Sequence, residues 1–318
     1  MKQILVLNFG GLGDEILFLP TLESIKTLYP NSKLTLILEP RSSGIAELTN
    51  LIDSILTFDI KKKPLLVRDL LDLLGLLRAN SYDMVISSGS SPLVALLLFL
   101  SGIPIRVGFN CNIVSNLLLT HKAKLNQNQY AGLMYYSLAQ SLGAKPQLSL
   151  RPEIHLTNID NQILQDNHLT NKPFILIHPG TSKLSLKKGI IKTYNNWPGL
   201  INNLINEFQQ YQIVLTGGPE DSDIILALQT QIKTSSNFKI IYNPQLRLKS
   251  FISLLNLSSL FICLDSAPMH IACGLNKKLI ALFGPTDPLK LLPANASFKA
   301  KPLTIKAEEL TQEIKNFL

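Results

Sequence analysis

The chain has 318 residues, of which 46% are hydrophobic and 16% charged, enough for two domains with their own cores and too apolar for disorder. Its net charge is +8; without interleaved aromatics or a recognition motif, this excess argues against nucleic acid and reads either as solvated surface or as attraction to a nucleotide, a phosphorylated glycolipid or an anionic membrane face. The apolar run Leu93–Leu100 is too short for a bilayer span, which needs about 20 residues, and Cys111, Cys263 and Cys273 show neither CxxC pairing nor zinc-ligand spacing, so no metal is expected and a reducing cytoplasm fits.

Met1–Asn8 lacks a small-residue cleavage site and reads as a strand rather than a leader. Strand-like and helix-like segments then alternate, the signature of parallel sheets with helices on both faces. Strand 3–8 precedes helix 14–28, strand 33–38, helix 41–50 and a short strand near 54–58. Helix 64–79, strand 82–87, helix 91–101 and strand 104–108 follow. Residues 109–130 are polar and irregular, and helix 131–142 closes the first half. A Pro-bearing polar stretch over 144–172 reads as an interdomain connection. The alternation restarts with strand 174–178, helix 197–209, strand 212–216 and helix 221–233. Strand 238–241, helix 249–256, strand 260–264, helix 267–274 and strand 278–283 complete it, before a charged helix over 307–317. The resulting boundaries are 1–155, 172–303 and a terminal segment 304–318.

Polar loops fall at the carboxyl ends of these strands, where open α/β sheets bind ligands. Gly10, Gly11 and Gly13 make a tight turn before Asp14, which serves either as a helix cap or as a carboxylate at the mouth of a cleft. "HPGTS" ends at the hydroxyls of Thr181 and Ser182, in an ordinary turn or an anion site. "TGGPED" puts Glu220 at a helix start, where the dipole alone or a ribose hydroxyl would suit it. "LDSAPMH" carries Asp265 and then Ser266, Ala267, Pro268, Met269 and His270 across the start of a helix. Unpaired N–H groups and a positive dipole make such a start a phosphate site. His270 is either a packed side chain or part of that site. "GPTDP", 284–288, is a rigid loop. Basic clusters stand at 61–63 and around Lys183, Lys187, Lys188 and Lys192.

Together, "ILVLNFGGLGDEILFLPTLESIKTLYPNSKLTLILEP", "ILIHPGTS", "WPGLINNLI", "IVLTGGPED" and "LDSAPMHIACGLNKKLIALFGPTDP" resemble family 9 glycosyltransferases, the lipopolysaccharide heptosyltransferase family. The resemblance implies a GT-B architecture: two Rossmann-like, doubly wound domains facing across a cleft, acceptor on the first, nucleotide-sugar on the second, and the final helix packed back on the first. It implies inverting transfer without a required metal or cofactor, from ADP-heptose or another nucleotide-sugar to a lipopolysaccharide-core or related glycan. The implied enzyme is a monomer, cytoplasmic or peripheral at the inner membrane face.

By resemblance Asp14 is the catalytic base, Thr181 and Ser182 lie near the donor phosphates, Glu220 binds ribose, and Asp265 and His270 belong to the donor motif. That motif usually has Gly where this chain has Ala267, which is tolerable only at negative φ. Where well-studied members carry Lys two residues before the Trp of "WP", this chain has Asn195, with Lys188 and Lys192 close before it. A NAD(P)-dependent oxidoreductase is a rival on fold, but its GxGxxG motif is missing; a non-catalytic nucleotide-binding protein is a second.

Overall fold

The computed structural model describes residues 1–318 except 63, 65, 148, 157–159, 161, 170, 171, 183–189 and 191. Lys188, one of the lysines named above, lies outside the described residues. The chain divides into two compact units, Met1–His155 and Leu156–Leu318.

In the first unit, strands β1 (Gln3–Leu7), β2 (Lys33–Leu38), β3 (Ser54–Thr57), β4 (Met84–Ser87), β5 (Ile105–Phe109) and β6 (His121–Ala123) form one parallel sheet ordered β3-β2-β1-β4-β5-β6. Its helices are α1 (Leu12–Leu28), α2 (Val67–Arg78), α3 (Pro92–Leu100), α4 (Ile113–Leu118) and α5 (Ala131–Gln140). The expected helix at 41–50 is instead a 3-10 segment, Pro40–Glu47. A β-region Glu39 leads into Pro40 at its first position, and tight turns of this kind suit short connectors. The polar stretch expected to be irregular contains α4 and the edge strand β6. Asn112 caps α4 by accepting from the Ser115 N–H.

In the second unit, after the short α6 (Gln162–Asp166), come β7 (Phe174–His178), α7 (Trp197–Glu207), β8 (Gln212–Thr216), α8 (Ser222–Gln231), β9 (Phe238–Ile241) and α9 (Leu248–Leu257). Then follow β10 (Leu260–Leu264), α10 (Ala267–Gly274), β11 (Leu279–Phe283), α11 (Pro288–Leu291), β12 (Phe298–Pro302) and α12 (Ala307–Phe317). The parallel sheet runs β12-β11-β10-β7-β8-β9. Counted within each unit, both sheets have the doubly wound order 3-2-1-4-5-6, as the α/β reading expects, and both reverse direction between the first and fourth strands. β7, β8, β10 and β11 are buried along their whole lengths, which is why they read as continuous apolar runs.

Of the stretch 144–172, expected to form a connection, residues up to His155 belong to the first unit and those from Leu156 to the second, where α6 packs on α9 and Asp160 exchanges hydrogen bonds with Ser253 and Ser250. The final helix, expected on the first unit, lays Leu310 and Ile314 on Trp197 and Leu200 of α7 in the second. Thr311 accepts from the Asn203 side chain there. Its apolar positions Ala307, Leu310, Thr311 and Ile314 fall at helical spacing, so one face is committed to this core. Among the described residues no helix is long and apolar enough to cross a membrane.

Trp197 is the chain's one tryptophan and reports directly on this packing. Leu310→Ala is expected to cost about 2–5 kcal/mol and to lower the urea midpoint read by Trp197 fluorescence, whereas exposed Glu309→Ala leaves it in place. An unchanged midpoint for Leu310→Ala would mean that α12 adds nothing to this core.

Candidate active site

In the first unit the site begins where β1 hands the chain to α1. Gly10 and Gly11 form the turn; Gly13, expected in the loop, is already the second residue of α1. Asp14 causes the early helix start, because its Oδ2 accepts the Gly11 N–H at 2.8 Å and satisfies a donor at the helix end. Gly10 cannot be replaced: a Cβ there would lie 2.1 Å from the Asp14 Cβ. The Gly10 carbonyl accepts from Ser42 at 3.0 Å, which fixes the turn from the opposite side. Asp14 Oδ1 accepts from the Tyr135 hydroxyl of α5 at 3.2 Å. Burial, reinforced by the Asp14 charge, pushes the Tyr135 hydroxyl above its usual range, so it acts as a neutral donor. Asp14 is therefore a cap and an oriented carboxylate at once.

Beneath it lies a buried polar chain. Ser88, just past β4, donates to Asn8 Oδ1 at 2.5 Å, and the Asn8 amide donates to Glu15 Oε2 at 3.0 Å. These residues stand at the β1/β4 reversal, the crevice position of this fold. Glu15 is 1% exposed. Burial pushes its carboxyl well above the usual range; the Asn8 hydrogen bond and Lys61 oppose that, and Asp14 adds to it.

In the second unit the corresponding reversal lies between β7 and β10, where His178 pairs with Cys263. Asp265 follows β10 and is 3% exposed. Its Oδ2 accepts from Lys192 Nζ at 2.6 Å and from the Thr286 hydroxyl at 2.5 Å, and its carbonyl accepts from Lys192 at 3.0 Å. Lys192 thus reaches the donor motif from beyond Asn195. Ser266 is the N-cap of α10, with Ala267 and Pro268 opening the helix. Ala267 is absent from the non-glycine residues at positive φ, which among the described residues are His168 and Asn276; alanine is accommodated there without strain. The expected run divides by role. Pro268 has no N–H, the Met269 N–H donates to the Ser266 carbonyl, and the Met269 side chain is core. His270 is buried one turn into the helix.

Thr181 is half-buried and Ser182 exposed just past β7, and Glu220 is exposed before α8. The carboxylate fixed here is Asp221, which the sequence reading passed over. Its Oδ2 accepts the Gly218 N–H at 2.7 Å and lies 3.4 Å from His178 Nε2. Burial holds His178 below the usual imidazole range, and Asp221 pulls the other way. A Cβ at Gly180 would lie 1.8 Å from Asp221 Oδ1, so the glycine of "HPGTS" makes room for this carboxylate. The signal for Asp221 was its place three residues after Gly218; for Thr286, its place just past β11. Tyr135 carried none, standing 121 residues from Asp14 in sequence. Among the described residues the one group with metal-ligand proximity is Glu23, Glu153 and His155, all exposed.

Glycosyltransferase family 9 (heptosyltransferase) matches residues 71–315, which include every second-unit residue just described. The chain belongs to glycosyltransferase family 9. It is therefore a transferase, and Asp14, Lys192 and Asp265 are residues of a family 9 enzyme. Lipopolysaccharide heptosyltransferase 3 of Escherichia coli is 25% identical over 293 residues, covering 86% of this chain and 81% of that protein. Among solved structures, E. coli ADP-heptose lipopolysaccharide heptosyltransferase II has a TM-score of 0.78 at 20% identity, covering 100% of this chain and 98% of its own. An E. coli heptosyltransferase solved with ADP has a TM-score of 0.74 at 18% identity, covering 99% and 97%. The structural likenesses carry the fold.

Glu15 gives this family 9 enzyme a testable pH response. Its folded value is raised, so its stabilising contribution is complete below the unfolded carboxyl value and is lost as pH rises through the folded one. Glu15→Gln should therefore gain stability over the parent as pH rises from about 4 to about 8. Melting temperatures across that range check it; a constant difference between the two proteins would contradict the assignment.

Proposed function

We propose that the enzyme transfers a heptose from ADP-heptose to a lipopolysaccharide-core or related glycan, with inversion and without a required metal. The observation that carries this reading is the Lys192–Asp265–Thr286 cluster beside the α10 N-terminus. Displacement at the anomeric carbon expels a nucleoside diphosphate whose growing charge must be stabilised. Two of the three Lys192 donors hold Asp265; the third, with the first N–H groups of α10 and the hydroxyls of Thr181 and Ser182, would meet the diphosphate. Fixed donors of this kind stabilise charge where it develops. A lysine in that position supplies the positive charge that a divalent cation provides elsewhere. Glu220 would accept from the ribose. The relatives' names support ADP-heptose and the lipopolysaccharide acceptor; another nucleotide-sugar on the same cradle is the second reading, favoured by Asn195 replacing the family's lysine.

Asp14 is the general base. It takes the proton of the acceptor hydroxyl as that oxygen attacks, and Tyr135 holds it in position. Gly10 and Gly11 keep the approach open to a bulky acceptor. Transfer requires that water be kept from the reacting atoms. A glycolipid acceptor places the enzyme at the cytoplasmic face of the inner membrane.

Asp14→Asn is expected to lower transfer by about 10²–10⁴-fold while ADP binding, measured by calorimetry, stays at the parent level. Near-parental turnover in this variant would remove Asp14 from the mechanism.

A further inference from the structure

We propose that the outer face of α3 and α4 in the first unit is a docking surface for an anionic lipid bilayer. It deepens the reading of a glycolipid acceptor and rests on that reading for its purpose, though not for its geometry. On α3, Leu93, Leu96 and Leu100 fall at i, i+3 and i+7, with Phe99 beside them; all four are exposed. The opposite face, Ala95, Leu97 and Leu98, fills the core. Helix α4 packs on α3 and adds Ile113, 79% exposed, and Leu117, 75% exposed. Apolar side chains gathered on adjacent helices mark an interaction surface rather than scattered exposure.

Charge identifies the occupant. No Asp or Glu occurs between Asp83 and Glu153, a stretch that carries Arg106, Lys122, Lys124, Lys145 and Arg151. Several cations are tied to the rim of the apolar face. The Arg106 guanidinium lies 5.6 Å from the Phe99 ring centroid and donates to the Leu118 carbonyl at the end of α4. Lys122 donates to Asn116 on α4 at 3.0 Å, and Arg78 donates to the Leu100 carbonyl. Exposed Lys124 lies two residues beyond Lys122. Apolar side chains flanked by cations, on helices from a stretch that holds no acid between Met84 and Pro152, match the interface of a membrane bearing anionic headgroups, where the apolar face enters the acyl boundary and the cations meet phosphates. A second copy of this surface would bring like charges together.

The test is flotation of the whole protein with vesicles free of sugar acceptor, either pure phosphatidylcholine or phosphatidylcholine with phosphatidylglycerol, at low and high salt. Binding to the anionic vesicles alone, weakened by salt, is expected. Ile113→Ser with Leu117→Ser should reduce it at least tenfold. Lys122→Gln with Lys124→Gln should reduce it about fivefold per charge. These side chains are exposed, so melting temperatures should stay at the parent value. Absent binding by the parent, or unchanged binding by the serine pair, overturns the proposal. So does a parent dimer in light scattering that the serine pair dissolves. ADP binding measured alongside separates the readings: lost flotation with intact ADP binding removes this surface alone, and intact flotation without nucleotide binding removes the transfer reading alone.

Discussion

The buried ion pair between Lys192 and Asp265 draws three separate segments to one point. Lys192 comes from the segment before α7, Asp265 from the end of β10, and Thr286 from the loop after β11, and all meet at a single carboxylate oxygen. Asp265 is 3% and Lys192 11% exposed at the side chain. Removing one partner of such a pair strands a buried charge, at about 3–5 kcal/mol. A doubly wound sheet can carry this pair at its edge because the crevice between the first and fourth strands is already open there. The helix that starts at Ser266 then presents its positive end beside a lysine already held in place.

The first unit has the same topology with different residues at its reversal point. Its reversal point holds a line of hydrogen-bonded side chains, Ser88, Asn8 and Glu15, beside an aspartate that caps its own helix. A Cβ at Gly10 would lie 2.1 Å from the Asp14 Cβ, so the turn stays free of side chains beside the carboxylate, as the proposed hydroxyl acceptor requires. Two copies of one fold would, on the function proposed above, divide the work of a transferase: one stabilising a leaving anion, the other removing a proton.

The central strands were legible because burial on both faces makes β1, β7, β10 and β11 continuous apolar runs, and their polar ends marked the loops that matter. Two of the four edge strands, β6 and β12, were not. His121–Ala123 is three residues long, and Phe298–Pro302 carries two lysines and a proline, as edge strands do. The 3-10 turn after Pro40 looked helical because its local composition is compatible with both. Asp14 and Asp265 stood in motifs and Lys192 in a basic cluster close before Asn195; Asp221 hid beside the more conspicuous Glu220, and the tie from Tyr135 to Asp14 depends on the packing of α5 against α1, which no local pattern encodes. The packing of the final helix on α7 was not read from its charged sequence.

The cradle is tested most directly by titrating ADP, UDP, GDP, CDP and NAD into the parent protein and into Lys192→Met by calorimetry. ADP should bind the parent most tightly, and the methionine variant, which keeps most of the unbranched side chain without the charge, should lose at least tenfold of that affinity. Equal ADP affinity in the two proteins, or a preference of the parent for NAD, would contradict a diphosphate held at the Lys192–Asp265 pair.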